Sequence, residues 1–342
     1  MENLSNIVYE SLKRLNKHNN INVSDYDFLN TEPNLKHPII IGLGGSHAYG
    51  TDIETSDMDI RGVALHSKDD ILLGRGFEQV VNEKTDTTIY SLKKIVQLLI
   101  NCNPNTIEIV GLRPQHYLYL SDIGKEFIKN RDMFLSMKCV GSFMGYANQQ
   151  MYRLQQKTLS ALSKEELNNH ICKTLNGMKT MLEEQLHITD VVTKLVDGEI
   201  VVDLSVKDYP AEDLAKVLGA LNNTLQEYRK ESTRNNKAIE HGKVAKHAMH
   251  LLRLYMMCED ILLYGEINTY REKEHDLLMD IRNGKYLGED SRPNNEFFDI
   301  VREYEERLSY AKEHSVIPSK PDMKRIDNFV KSVNERIIDG DI

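Results

Sequence analysis

The stretch GGSHAYGTDIETSDMD, residues 44–59, constrains this 342-residue chain more than any other. It follows PIIIGLG (38–44), a β-branched apolar run ending in glycine, which reads as a buried strand. Two glycines and a serine then stand ten residues ahead of Asp57-Met58-Asp59. No Lys-Ser or Lys-Thr follows the glycines, which excludes a P-loop. Gly42, Gly44 and Gly45 do not complete a G-x-G-x-x-G fingerprint, which excludes the dinucleotide-binding turn. What remains is a strand, a Gly-Ser turn and a second strand, MDIRGVALH (58–66), entered through D-x-D. A strand alternates its side chains with period two, so Asp57 and Asp59 are expected on one face and Met58 and Ile60 on the other.

Two neighbouring carboxylates repel unless a cation lies between them. Mg²⁺ takes hard oxygen ligands, commonly one or two carboxylates completed by phosphate oxygens. Gly45 lets backbone approach a phosphate closely, Ser46 offers a hydroxyl, and turn N–H groups add partial positive charge if a helix starts there. A third carboxylate would make a two-metal clamp for displacement at phosphorus. NEKTDTTIY (82–90) offers Glu83 and Asp86 for it. Asp86 is preferred because it opens the apparent strand TTIY (87–90), sharing a face with Thr88 and Tyr90.

Elsewhere the N-terminal part reads as helix over 2–18, a polar stretch to about residue 37, and a helix over SLKKIVQLLINC (91–102). From about residue 122 helical periodicity dominates, over 122–130, 134–158, 163–187, 210–231, 239–264, 295–314 and 321–338. VVTKLVDGEIVVDL (191–204) interrupts it with two β-branched runs around Asp-Gly, a hairpin signal. The expected architecture is α+β: a small mixed β-sheet core with flanking helices over residues 1–125, then a mainly helical domain over 126–342 that completes a cleft.

Net charge is −9, which argues against a nucleic-acid-coating protein without excluding a local basic patch. Cys102, Cys139, Cys172 and Cys258 are widely separated, so four reduced thiols in a cytoplasmic protein are expected rather than a zinc site or disulfides. The first residues lack a basic n-region and apolar h-region, and no apolar run reaches membrane-spanning length, so neither a signal peptide nor a membrane partner is expected.

Gly45-Ser46, ten residues, then Asp57-Met58-Asp59 resembles the signature of the polymerase-β-like nucleotidyltransferase superfamily. The fuller strings GSHAYGTDIETSDMDIRGV, TDTTIYSLKKIVQLLINCNPNTIEIV and KHAMHLLRLYMMCEDILLYGEI resemble a branch of predicted bacterial and phage nucleotidyltransferases, some encoded beside RNA-repair ligases. The resemblance spans residues 40–112 and 243–290. It implies transfer of a nucleotidyl group from an NTP, ATP foremost, with Mg²⁺ or Mn²⁺. Gly45 and Ser46 would hold the triphosphate, Asp57 and Asp59 the metal, and Asp86 would be the third carboxylate. An RNA 3′ end or tRNA is the acceptor that the repair analogy implies. A protein hydroxyl (AMP transfer), a small molecule, or a non-catalytic nucleotide-binding regulator on the same fold remain open.

Four further residues are candidate substrate contacts. His47 either touches a phosphate or packs the turn, and Arg61 either pairs with the carboxylates or reaches substrate. Lys243, His247, His250 and Arg253 stand at offsets 0, 4, 7 and 10. At about 100° per residue they form one basic stripe opposite Ala245, Met249, Leu252 and Met256. Lys243 and His247 are the pair expected to reach the β- and γ-phosphates. Arg153 and Lys157, and Arg229, Lys230, Arg234 and Lys237, are read first as ordinary surface and second as a polynucleotide groove.

Overall fold

The computed structural model describes residues 3–15, 17, 21–159, 191–196, 199–204, 243–289 and 291–341. The β-branched run forms strand β1 (Pro38–Leu43), with Ile39, Ile40, Ile41 and Leu43 all buried. It pairs antiparallel with β2 (Ile60–Ala64) and with β5 (Tyr117–Leu120). β4 (Thr87–Ser91) runs parallel to β2, and β3 (Gln79–Asn82) pairs antiparallel with β4. The sheet is thus mixed, in the order β3-β4-β2-β1-β5, and with its flanking helices it makes the α+β core.

Helices cover the sheet through the faces that their sequences specify. Ser91 caps the Leu92–Ile100 helix by accepting from Lys94 N–H, and Leu92, Ile95, Val96 and Leu99 bury one stripe of it. Gly124 of the Asp122–Lys129 helix lies directly against the Ile39 carbonyl of β1, an approach that any Cβ would obstruct.

The chain forms two compact units. One comprises Met1–Asn148, Met249–Lys285 and Phe298–Ile342, and the other Gln149–Ala248 and Tyr286–Phe297. The division at 125/126 read from the sequence follows chain order, whereas the units follow packing. The chain returns to the sheet unit because later segments cover its surfaces. Ile267 packs on Gly111, Tyr270 on Gly50, and Arg336 pairs with Glu126 at 3.0 Å. In the second unit, β6 (Val191–Val196) and β7 (Glu199–Leu204) pair antiparallel, as the β-branched runs anticipate. The helices expected at 163–187 and 210–231, and Cys172, lie outside the described residues.

Several elements depart from the sequence reading. The second strand begins at Ile60 rather than Met58, so Asp57 and Asp59 lie in the extended segment leading into it. β3 and β5 were not anticipated: each is only four residues long and lies at a sheet edge. Cys102, Cys139 and Cys258 are buried free thiols. Among the described residues no helix is long and apolar enough to cross a membrane.

Candidate active site

Sheet topology alone brings the motif residues together. β1 and β2 are antiparallel with Leu43 opposite Ile60, so the end of β1 lies beside the start of β2. β2 and β4 are parallel with Ile60 opposite Thr87, so the start of β4 lies at the same end. Three segments therefore converge there: Gly44-Gly45 leaving β1, Asp57–Asp59 entering β2, and Asp86 entering β4.

Hydrogen bonds fix that convergence. Gly44 N–H donates to the Asp59 carbonyl at 2.8 Å, and Ile60 N–H donates to the Asp86 carbonyl at 3.2 Å. Gly45 has φ +54° and opens the short Gly45–Tyr49 helix, which ends at Gly50 with φ +69°. A side chain on Gly45 would fall on the Asp59 carboxylate, 2.8 Å from its Cγ. A glycine is required there on both counts: its backbone is left-handed, and the carboxylate occupies the space of a Cβ.

Arg61 binds two of the candidate acids at once. Its Nη2 donates to Asp59 Oδ1 at 3.1 Å, and its Nη1 to Asp86 Oδ1 at 3.3 Å and to the Asp86 carbonyl at 2.7 Å. Asp59 is 19% exposed and Asp86 56%, while Asp57 is solvent-exposed. Asp86 is not on the strand alternation with Thr88 and Tyr90. It precedes β4 in the left-handed region at φ +43°, so its side chain is aimed by a turn. Glu83 lies in the exposed turn before it.

His47 is 6% exposed, and its Nδ1 lies 3.2 Å from Asp52 Oδ2, to which Lys17 also donates. Burial would raise the Asp52 carboxyl, but hydrogen bonds and charge from His47 and Lys17 overcome it and hold the group well below the usual carboxylate range. A depressed folded value means stability that is present above the unfolded value and lost as the pH falls toward the folded one. Asp52→Asn is therefore expected to cost about 1–2 kcal/mol at pH 7, reduced by its partial exposure. The gap from wild type should begin to narrow below about pH 4 and close only as the pH nears the much lower folded value. Urea unfolding at pH 7, 4 and 3 checks this, and a gap independent of pH would remove the carboxylate charge as its source.

Two buried charged residues lie beside the turn, Glu108, which the sequence reading did not single out, and Arg253, which it placed on a basic stripe. Glu108, 7% exposed, begins a turn between the Pro104–Ile107 helix and Gly111, and its Oε1 accepts from Gly45 N–H at 3.4 Å. Burial pushes its carboxyl up, against the opposing pull of Arg253, the Gly45 N–H and Arg61, with Asp59 adding to the rise. Arg253, 8% exposed, stacks its guanidinium on the Tyr49 ring at 3.3 Å. It was expected on the basic face of its helix, Val244–Tyr264, but it is buried between Leu252 and Leu254. The available signals were a glutamate inside the apolar run TIEIV and an arginine inside LLRLY. Lys243 precedes the first turn of the same helix and His247 lies in that turn, with His247 N–H donating to the Lys243 carbonyl at 3.2 Å. Both belong to the second compact unit. The side chains of Arg153 and Lys157, and residues 229–237, lie outside the described residues.

Whether these residues suit a divalent cation is a question of donor chemistry. Asp57 and Asp59 offer hard carboxylate oxygens beside a glycine turn that leaves no room for a Cβ. Among the described residues no three His, Cys, Asp or Glu side chains converge as a metal cage. The donor set therefore suits magnesium in its usual protein mode, one or two carboxylates with phosphate oxygens and water completing the shell.

A small mixed sheet with a Gly-Ser turn and paired carboxylates at one sheet end is the arrangement that the polymerase-β-like resemblance implies. Residues 7–175 match the family described as the RNA repair pathway DNA polymerase beta family, a match that supports a polymerase-β-like nucleotidyltransferase family. It is also similar to a protein of Enterobacteria phage T4 described as an uncharacterized 38.9 kDa protein in the nrdC-mobD intergenic region. The identity is 22% over 329 residues, covering 84% of this chain and 94% of the phage protein. No solved structure matches the chain.

Proposed function

We propose that this site transfers a nucleoside monophosphate from an NTP, ATP foremost, to a hydroxyl acceptor at an RNA end. The acceptor oxygen forms a bond to the α-phosphorus, the bond from that phosphorus to the bridging oxygen breaks, and pyrophosphate leaves. The observation that carries this reading is the meeting of the Gly45 turn, Asp57, Asp59 and Asp86 at one end of the sheet.

Gly45 and Ser46 would receive the triphosphate where the backbone can approach it closely. His47, tied to Asp52, would hold the turn from behind. Asp57 and Asp59 would hold Mg²⁺ or Mn²⁺, which when bound neutralises phosphate charge and lowers the pKa of a bound hydroxyl. Asp86, the most exposed of the Arg61-linked acids, would accept the acceptor's proton and complete the set of metal carboxylates. Arg61 keeps Asp59 and Asp86 in register and places a positive charge beside the phosphates. The description of the matched family supports RNA as the acceptor class.

The test is an assay with each of the four NTPs labelled at the α-phosphate, with Mg²⁺ or Mn²⁺. Each is incubated alone, with short RNAs and with a tRNA pool. Label on RNA is the expected result. Label on the protein would instead indicate AMP transfer, and pyrophosphate release without labelled polymer a small acceptor. Nucleotide binding with neither transfer nor release would overturn the enzyme reading in favour of a regulator.

A further inference from the structure

A buried carboxylate is costly unless it is paired and hydrogen-bonded, so Glu108 in the apolar run TIEIV requires a reason. Its surroundings supply one. Its Oε1 accepts from the N–H of Gly45, the residue whose left-handed backbone starts the turn. Its charge partner Arg253 lies on the ring of Tyr49, the last residue of the same short helix. Tyr49 is itself 4% exposed, and its hydroxyl lies 3.9 Å from Met257 Sδ, one helical turn beyond Arg253. Two buried charged residues therefore touch the Gly45–Tyr49 segment, Glu108 at its first residue and Arg253 at its last. Arg253 Nε has no hydrogen-bond partner among the described residues, and its guanidinium stacks on the Tyr49 ring.

We propose that Glu108 is a positioning residue that fixes the Gly45 N–H and so holds the turn in the shape that receives a nucleotide triphosphate. This rests on the nucleotide reading of the site and adds to it the means by which the turn is held. Glu108 reaches the substrate through the turn and not by contact. The relevant chemistry is the accepted hydrogen bond, not the charge alone, and the two can be separated by substitution. Glu108→Gln keeps an oxygen for Gly45 N–H and loses the charge. Glu108→Asp keeps the charge and draws the oxygen back by one methylene.

The experiment measures the affinity of the full-length protein for ATP with Mg²⁺ by calorimetry, beside thermal melting of every variant. Glu108→Asp and Glu108→Ala should each weaken ATP binding about tenfold, whereas Glu108→Gln should stay within about threefold of wild type even if its melting temperature falls. Arg253→Met should weaken binding like Glu108→Ala, and the double variant should be no weaker than either single one, because both act through one turn. Ile109→Val, from the same turn, is the control for destabilisation alone and should bind as wild type does. The proposal is overturned if Glu108→Asp binds like wild type while Glu108→Gln does not, or if the Ile109 control loses as much affinity. Should Glu108→Ala not fold, the Asp and Gln variants still decide. A wild-type protein that binds none of the four NTPs would overturn the nucleotide reading itself, a result separate from any difference among variants.

Discussion

Replacing Asp57 and Asp59 together by asparagine should abolish nucleotidyl transfer while leaving the fold intact. A loss of at least about 10³-fold in the transfer rate is expected, equivalent to about 4 kcal/mol of transition-state stabilisation. Asparagine keeps an acceptor for Arg61 Nη2, so the observed Asp59 contact can persist in neutral form. Asp57 is solvent-exposed. Stability should accordingly change by only about 0.5 kcal/mol, as for most surface substitutions. Single-turnover transfer and urea unfolding on the same preparation measure both quantities. A large loss of stability would make the pair structural, and retained transfer would remove it from the chemistry.

Gly45→Ala should damage both stability and activity. At φ +54° an alanine carries a left-handed backbone cost of about 1–2 kcal/mol. Its Cβ would also fall on the Asp59 carboxylate and force it away from Arg61. Displacement of a reacting group by about 1 Å can cost about 10²-fold in rate, and that is the expected minimum here. Gly74→Ala separates the two effects. Gly74 has φ +62° but nothing within 4 Å of an added Cβ, so it reports the backbone cost alone. Gly44→Ala, at φ −120°, carries no left-handed cost and meets only the tight approach of Arg61 Cγ at 3.0 Å, so it should cost less stability than Gly45→Ala. Equal stability losses at Gly45 and Gly74, with activity unharmed, would show that the Asp59 contact does not matter.

The motif was legible because its parts are close in sequence and each has a local cause. A β-branched run makes β1, the glycines make the turn, and the carboxylates enter the next strand. Even so, the strand was read two residues too early. Asp57 and Asp59 are therefore set by an extended lead-in and by the Gly44–Asp59 hydrogen bond, not by strand alternation. Asp86 was found by type and spacing, but its left-handed conformation was not visible in TTIY, since the turn before it decides that. Arg61 was left between two roles, and only its reach to both Asp59 and Asp86 shows it pairing with them.

Glu108 and Arg253 mark the limit of pattern reading. Helical periodicity identified Ala245, Met249, Leu252 and Met256 as the apolar side of the Val244–Tyr264 helix, and all four are buried. The same periodicity put Arg253 on the polar side, because a charged residue is assigned to solvent unless a partner is known. The Tyr49 ring on which it stacks, and the buried Glu108 whose carboxyl its charge favours in ionised form, both lie far from it in sequence. By itself the sequence determined the strand, the glycine turn, the carboxylates and their α+β setting, since these follow from local sterics and side-chain period. Only the tertiary structure decided which charges are buried and paired. The cost of removing a charge from water depends on what the fold places beside it, and residues remote in sequence supply that.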